Sequence, residues 1–219
     1  MKGLVRGKGE AAAALLAGAA LPAIPALAQE AAPPLMYGFE NGVMVIEAED
    51  AAQVAPWELA SDEGATGGAY LHFRGDNQYS NDGTQQGMSY CFKPEHAGNY
   101  HLRIRVRRSR EGAGEVANDL RNDVWVRLQP WGANYPRPWM KLFFGGAWEE
   151  WGWGGTLDMH NYYGVRPAPV FHINKPQRIY CFEIAGRSEQ VQFDRLHVTY
   201  MGPDKPNEDD RLPSTLIAR

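Results

Sequence analysis

The densest recognition chemistry in this chain of 219 residues lies in one run, Trp148-Glu149-Glu150-Trp151-Gly152-Trp153-Gly154-Gly155. An indole offers a flat apolar face that matches the C–H face of a pyranose, while its N–H and neighbouring carboxylates suit sugar hydroxyls. Glycines between the rings let backbone and ligand approach closely. Trp131, Tyr135, Trp139, Tyr162 and Tyr163 are near in sequence, so an aromatic surface is predicted. The alternative is that several of these rings fill the core or staple a long loop. A second kind of chemistry lies near the chain ends. Val45-Ile46-Glu47-Ala48-Glu49-Asp50 and Val191-Gln192-Phe193-Asp194-Arg195-Leu196-His197-Val198 alternate with the two-residue period of half-buried strands, and they carry carboxylates where an aliphatic core would not place them. Acidic groups sharing a small volume need a cation, and an irregular cage of hard oxygen ligands is what Ca²⁺ accepts. The pairing predicts a β-sandwich stapled by a structural calcium.

Two further constellations point elsewhere. If Leu102, Ile104 and Val106 line the core, Arg103, Arg105 and Arg107 form a row on the opposite face, and Trp125 with Arg127 makes a similar row on another strand. Such rows hold uronic-acid carboxylates or sulfates through bidentate hydrogen bonds, or they are solvated faces paired with Asp and Glu. Catalysis has thin support. The six histidines are scattered, with no His-Glu-x-x-His spacing, Gly-x-Ser-x-Gly elbow or phosphate loop. Asp158 with His160, or Glu149 with Glu150, are the acid–base pairs on offer. Adjacent residues point apart on a strand, however, whereas a glycosidase needs two carboxyls converging on one bond.

The elements that must position these groups are strands. Ala69 to Phe73, Gly87 to Phe92, Tyr100 to Arg107, Asp123 to Leu128, Met140 to Phe144, Val170 to Ile173, Arg178 to Ile184 and Phe193 to Tyr200 are predicted, with no amphipathic helix longer than two turns. Eight or nine strands with Gly- and Pro-rich connections imply an all-β, two-sheet β-sandwich. Pro94-Glu95-His96-Ala97-Gly98-Asn99 has hairpin chemistry. Three connections are long: Arg74 to Gln86, Ser109 to Asn122 and Gly145 to Pro169; long loops on a rigid sandwich are where binding concentrates.

Residues 1–28 read as an export signal. Lys2, Arg6 and Lys8 precede the apolar run Ala11 to Leu27, and Ala26-Leu27-Ala28 fits a cleavage site. Pro22 and Pro25 interrupt the run, which is short and alanine-rich for a membrane span. Cleavage shifts the formal charge from −4 to −6 by removing Lys2, Arg6, Lys8 and Glu10. No global basicity draws the chain to nucleic acid. A linker at 29–35, a single folded domain at 36–201 and a flexible tail at 202–219 are expected. The 2 cysteines sit in matching strings, Tyr90-Cys91-Phe92 and Tyr180-Cys181-Phe182. With the aromatic rings in the core, both thiols emerge on the outer sheet face, where adjacent strands would allow a disulfide in an exported protein. Two free, semi-buried thiols are the alternative.

The order Glu47-Ala48-Glu49, Gly67-Gly68, Ser89-Tyr90-Cys91-Phe92, Ala97-Gly98-Asn99-Tyr100-His101-Leu102-Arg103-Ile104-Arg105, Glu183-Ile184-Ala185-Gly186-Arg187-Ser188 and Gln192-Phe193-Asp194-Arg195-Leu196 resembles carbohydrate-binding modules of families 6 and 35 and their galactose-binding-like jelly-roll relatives. The resemblance implies a jelly roll with sugar bound by edge loops or a concave sheet face. It also implies a structural Ca²⁺ held by Glu47, Glu49 and Asp194, with backbone carbonyls completing the shell. Alternatively, Glu47 and Glu49 face outward and Asp194 pairs with an arginine such as Arg187. In such modules an amide side chain shortly before the closing aspartate helps hold the sugar, and Gln192 occupies that neighbourhood. The two long aromatic and polar insertions depart from the compact family pattern. The ligand-binding candidates are therefore Tyr79, Trp148, Trp151, Trp153 and Gln192. The function expected is that of an exported, periplasmic or extracellular, non-catalytic module binding a polysaccharide or oligosaccharide. A sandwich that contacts another envelope or matrix protein is the alternative, and a polysaccharide lyase or hydrolase the third.

Overall fold

Period-two alternation is realised in fourteen strands of a computed structural model that describes residues 35–80, 87–112, 114–117, 120–130, 139–158, 167–202 and 213–218. The expected leader at 1–28, most of the linker, and Trp131, Tyr135, His160, Tyr162 and Tyr163 lie outside the described residues. The strands are β1 (Met36–Tyr37), β2 (Val43–Glu47), β3 (Trp57–Ser61), β4 (Ala69–Phe73), β5 (Met88–Phe92), β6 (Gly98–Arg108) and β7 (Asp123–Pro130). They continue as β8 (Met140–Phe143), β9 (Gly152–Gly154), β10 (Thr156–Asp158), β11 (Val170–Ile173), β12 (Tyr180–Gly186), β13 (Val191–Tyr200) and β14 (Leu216–Ala218). Among the described residues no helix is long and apolar enough to cross a membrane.

One sheet runs in the order β10-β8-β7-β12-β5-β1-β14. The other runs β11-β6-β13-β4-β3, with β2 also paired to β13 and β9 to β6. The fold is thus the all-β, two-sheet sandwich that the patterning predicts. Its core interdigitates rings from the two inner faces: Tyr90 meets Phe193 at 6.1 Å, Phe171 meets Phe182 at 5.1 Å and Phe92 meets Tyr100 at 6.4 Å between centroids. On β6, Tyr100, Leu102, Ile104 and Val106 are all buried, and the residues between them emerge on the outer face. Gly186 is tied to this packing, since a Cβ there would lie 2.0 Å from the ring of Phe73.

Three elements differ from their predicted form. β2 stops at Glu47, and Ala48–Asp50 form a 3₁₀ turn, so Glu49 leaves the strand alternation. Pro94 to Asn99 joins β5 of one sheet to β6 of the other, so it crosses between layers and closes no hairpin. Within the expected tail, 213–218 return to the fold: β14 pairs with β1, Thr215 bonds to Val45, and Leu216 packs on the core.

Cys91 and Cys181 are directly opposed on antiparallel β5 and β12 and form a disulfide. The rings flanking them are buried in the core, which turns both sulfurs to the outer face. Closing a sequence separation of 90 restricts the unfolded chain by about 4–5 kcal/mol in the chain-entropy estimate. Replacing both cysteines by serine is expected to lower the melting temperature by about 10–15 °C, measured by circular dichroism in non-reducing buffer. A change below about 3 °C would contradict this account of the staple.

Candidate functional site

β6 and β13 pair over most of their length, and alternation on β6, with a register shift in β13 between Phe193 and Arg195, gives their shared outer face a row of cations facing an amide and a carboxylate. Arg105 donates to Asp194, which is fully buried and also accepts from the Thr66 backbone N–H at 3.0 Å. Arg107 donates through Nε to Gln192 and through Nη1 to Asp62 at 2.6 Å. Arg127, on the other sheet, pairs with Glu183. The arginine rows are therefore matched by internal partners, the second of the two readings above.

The segment 144–154 crosses from one sheet to the other. It leaves β8, forms a bridge between Trp148 and Arg108, and then runs as β9 along the edge of β6, where Gly152 and Gly154 oppose Val106 and Ile104. Glu149 turns the chain at φ 60°, and its backbone N–H donates to the Arg108 carbonyl. Arg121 and Gln190, at φ 55° and 59°, flank the same rim, which gathers three of the four described non-glycine residues in the left-handed region. This crossing encloses a pocket of about 230 Å³. Val106, Phe144 and Arg108 form its buried floor, while Trp151 and Glu150 join the backbone of Gly145, Gly146 and Gly152 in its walls. The guanidinium of Arg108 is held by the carbonyls of Gly146 and Leu120, each at 3.1 Å.

Trp151 is fixed from several sides. Its Nε1–H donates to Asp62 Oδ1 at 3.1 Å, its ring meets Tyr70 edge-on at 5.2 Å, and the Arg107 guanidinium lies 4.7 Å from its centroid. The Arg107 hydrogen bond holds the Asp62 carboxyl below its ordinary pKa, so the carboxylate stays ionised at neutral pH. Gln192 joins the same cluster through Arg107. The other predicted residues go elsewhere. Trp148 stacks on Arg108 at 3.9 Å, with Arg110 at 5.1 Å. Trp153 packs on His197 at 4.3 Å and under Arg103 at 4.9 Å, its indole nitrogen buried without a hydrogen-bond partner. Tyr79 covers Arg187, which also stands over Trp125 of the other sheet, so it belongs to a separate cluster. Sequence reasoning missed Arg108 and Asp62, because nothing local distinguishes them from other surface charges; the Gly145-Gly146 pair beside Trp148 was the available signal.

The acidic residues near the chain ends do come close together. Burial, followed by the charges of Glu47, Asp194 and Asp50, pushes the Glu49 carboxyl up to about 7, and its Oε2 is buried without a hydrogen-bond partner. Glu47 forms a bidentate pair with Arg195, its cross-strand neighbour, and Asp194 pairs with an arginine, as in the alternative reading, though with Arg105 and not Arg187. Arg187 instead pairs with Asp123. Among the described residues no three acidic, histidine or cysteine side chains form a ready-made metal set. The donor chemistry suits a hard cation, and the orphaned Glu49 oxygen provides a ligand, but Arg195 and Arg105 already occupy the other two carboxylates.

The known proteins this chain is similar to are distant structural likenesses. No family model matches the chain, and no curated protein gives a significant match. Among solved structures, a family 35 carbohydrate-binding module from Clostridium thermocellum is 16% identical with a TM-score of 0.43, covering 71% of this chain and 97% of that one. The C-terminal CBM6 of LamC, a marine laminarinase from Zobellia galactanivorans, is 13% identical with a TM-score of 0.41, covering 72% and 98%. The GH26-CBM35 β-(1,4)-mannanase of Podospora anserina is 17% identical with a TM-score of 0.45, and this chain covers 31% of its length.

Glu49 generates a pH dependence with a definite sign. Its folded pKa of about 7 lies above the ordinary 4.5, so its stabilising contribution is complete below about pH 4.5 and is lost as pH rises through 7. With divalent ions chelated, the stability difference between the parent protein and Glu49→Gln is expected to fall across this window by at most about 3 kcal/mol, measured by urea unfolding. A difference that stays flat from pH 4.5 to 7.5 would contradict it.

Proposed function

We propose that this chain is a non-catalytic carbohydrate-binding module, exported to the periplasm or beyond, that takes a glycan into the pocket at the end of β6. The observation that carries the reading is the Trp151 indole, locked in orientation by Asp62, Arg107 and Tyr70 beside the glycine-walled pocket at the end of β6. The Trp151 ring offers a surface for sugar C–H groups, while the exposed Glu150 carboxylate accepts hydrogen bonds from hydroxyls. Preorganisation matters because a wall already held by Asp62, Arg107 and Tyr70 loses little side-chain freedom on binding. Glu150 is the one carboxylate among the described pocket residues, whereas glycosidic cleavage calls for a convergent pair. The disulfide suits the oxidising compartments that export reaches.

Calorimetric titration against a panel of soluble β-mannan, xylan, β-1,3-glucan, α-1,6-glucan and polygalacturonate tests this reading. Binding to at least one is expected, and Trp151→Ala should weaken it tenfold or more while the circular dichroism spectrum is retained. Correctly folded protein that binds none of them would refute it, and release of reducing or unsaturated ends would favour an enzyme.

A structural Ca²⁺ belongs to the same proposal, held by Glu47, Glu49 and Asp194. Two arginines meet four clustered carboxylates if Asp50 is included, so a divalent ion would offset the charge that raises the Glu49 pKa. Calcium at a hundredfold excess over its Kd would add about 2.7 kcal/mol, raising the melting temperature of chelator-treated protein by roughly 5–10 °C. Glu49→Gln should abolish that rise. An unchanged melting temperature in the parent would mean that Arg105 and Arg195 supply all the counter-charge the site needs.

A further inference from the structure

We infer that β3, the free edge of the second sheet, pairs with β3 of a second copy of this chain across a two-fold axis at Leu59. β3 ends its sheet, with β4 on one side and no described strand on the other. The register decides which groups face outward. Pro56 accepts from the Arg74 N–H and Asp62 donates to the Gly68 carbonyl, so the even-numbered positions bond toward β4. Alternation then turns the N–H and C=O groups of Leu59 and Ser61 to the open side. Exposed edges are ordinarily guarded by lysines, prolines or bulges. This one is not: the chain has no Lys or Arg between 51 and 65, β3 pairs with β4 without a bulge, and Pro56 turns its ring nitrogen toward β4. Leu59 opposes the buried Leu71 and so belongs to the inner face, yet it is 56% exposed because the sheet ends there.

Antiparallel pairing about Leu59 is self-complementary. It sets Leu59 against its own copy, Trp57 against Ser61 and Glu58 against Ala60. The odd positions then form the hydrogen-bonded pairs, as their outward groups require, and the two leucines cover each other. No like charges are directly opposed. Glu58, the charged residue of this strand, already lies 3.3 Å from Arg74 Nε, so the edge meets its copy without a bare row of carboxylates. A basic peptide, the other occupant an acidic edge could draw, finds that carboxylate paired. With 5 residues a side the contact falls below the roughly 1,000 Å² of a stable interface, and the dimer is a weak one. On the sugar-binding reading, two sandwiches joined edge to edge carry two pockets and hold a polymer with avidity.

Sedimentation equilibrium of the full chain without glycan, from about 10 µM to about 1 mM, tests the inference. The weight-average mass of the parent should rise with concentration toward that of two chains. Leu59→Lys places like charges on the two-fold axis and should hold the mass at one chain throughout, with a melting temperature within about 3 °C of the parent. Ala60→Lys faces Glu58 of the other copy and should lower the dimer Kd by about threefold or more, which unspecific association would not do. A parent that stays at one chain, or a Leu59→Lys variant that associates like the parent, would overturn the inference. So would an Ala60→Lys variant whose Kd is no lower than that of the parent. Should Leu59→Lys fold poorly, the parent series and Ala60→Lys decide. Because no sugar is present, failure here leaves the sugar-binding reading untouched.

Discussion

The antiparallel pairing of β6 with β13 governs the rest of the molecule. These are the longest strands, and each turns a continuous aliphatic and aromatic row inward. Period-two geometry turns Arg103, Arg105 and Arg107 to the opposite face, and an irregularity in β13 between Phe193 and Arg195 shifts the register so that Gln192, Asp194 and His197 stand beside them. Half-buried charges are costly unless paired. The carboxylates brought by neighbouring elements, Asp62 after β3 and Glu47 on β2, complete this layer with short ion pairs. A one-residue slip of β13 would expose its core residues and bury unmatched guanidiniums.

That layer explains why the pocket is rigid where it lies. Arg107 bridges Gln192 of the sheet to Asp62 of a loop, and Asp62 in turn holds the Trp151 indole. The polar network therefore works as the support of an aromatic wall, and its charges are directed at one another more than at a ligand. Tyr70 and the Arg107 guanidinium bracket the ring further. The glycine-rich crossing from β8 to β9 then passes close enough to leave a chamber and no packed interface. Recognition and stability thus share residues at Arg107 and Asp62.

Much of the sandwich was legible because its signals are local. The alternation in Tyr100 to Arg107 and Phe193 to Tyr200 marks strands directly, and the matching Tyr-Cys-Phe strings placed both sulfurs on one outer face. The short strands β1, β3, β9, β10 and β14 escaped notice. Gly152–Gly154 has too few apolar positions to show a period, and Leu216–Ala218 forms a strand only because β1 supplies an edge. At the site, the aromatic run announced itself, but its division of labour did not. Whether Trp148, Trp151 or Trp153 lines a cavity depends on contacts with Arg108, Tyr70 and His197, which are distant in sequence. The ion-pair partner of Asp194 was equally hidden. Arg105 reaches it across 89 residues of chain, whereas the nearby Arg187 lies on the other sheet and serves Asp123.

The central claim is that Trp151 and the glycine crossing beside it form the contact surface for a glycan. Two-dimensional ¹H–¹⁵N spectra during titration with a binding oligosaccharide read that surface directly, because every indole N–H and glycine amide reports its own surroundings. The account predicts that the Trp151 indole and the Gly145, Gly146 and Gly152 amides shift together and saturate, while the Trp125 and Trp139 indoles on the other sheet stay still. Saturating shifts confined to Trp125, Trp139 or Tyr79, with the crossing silent, would contradict it.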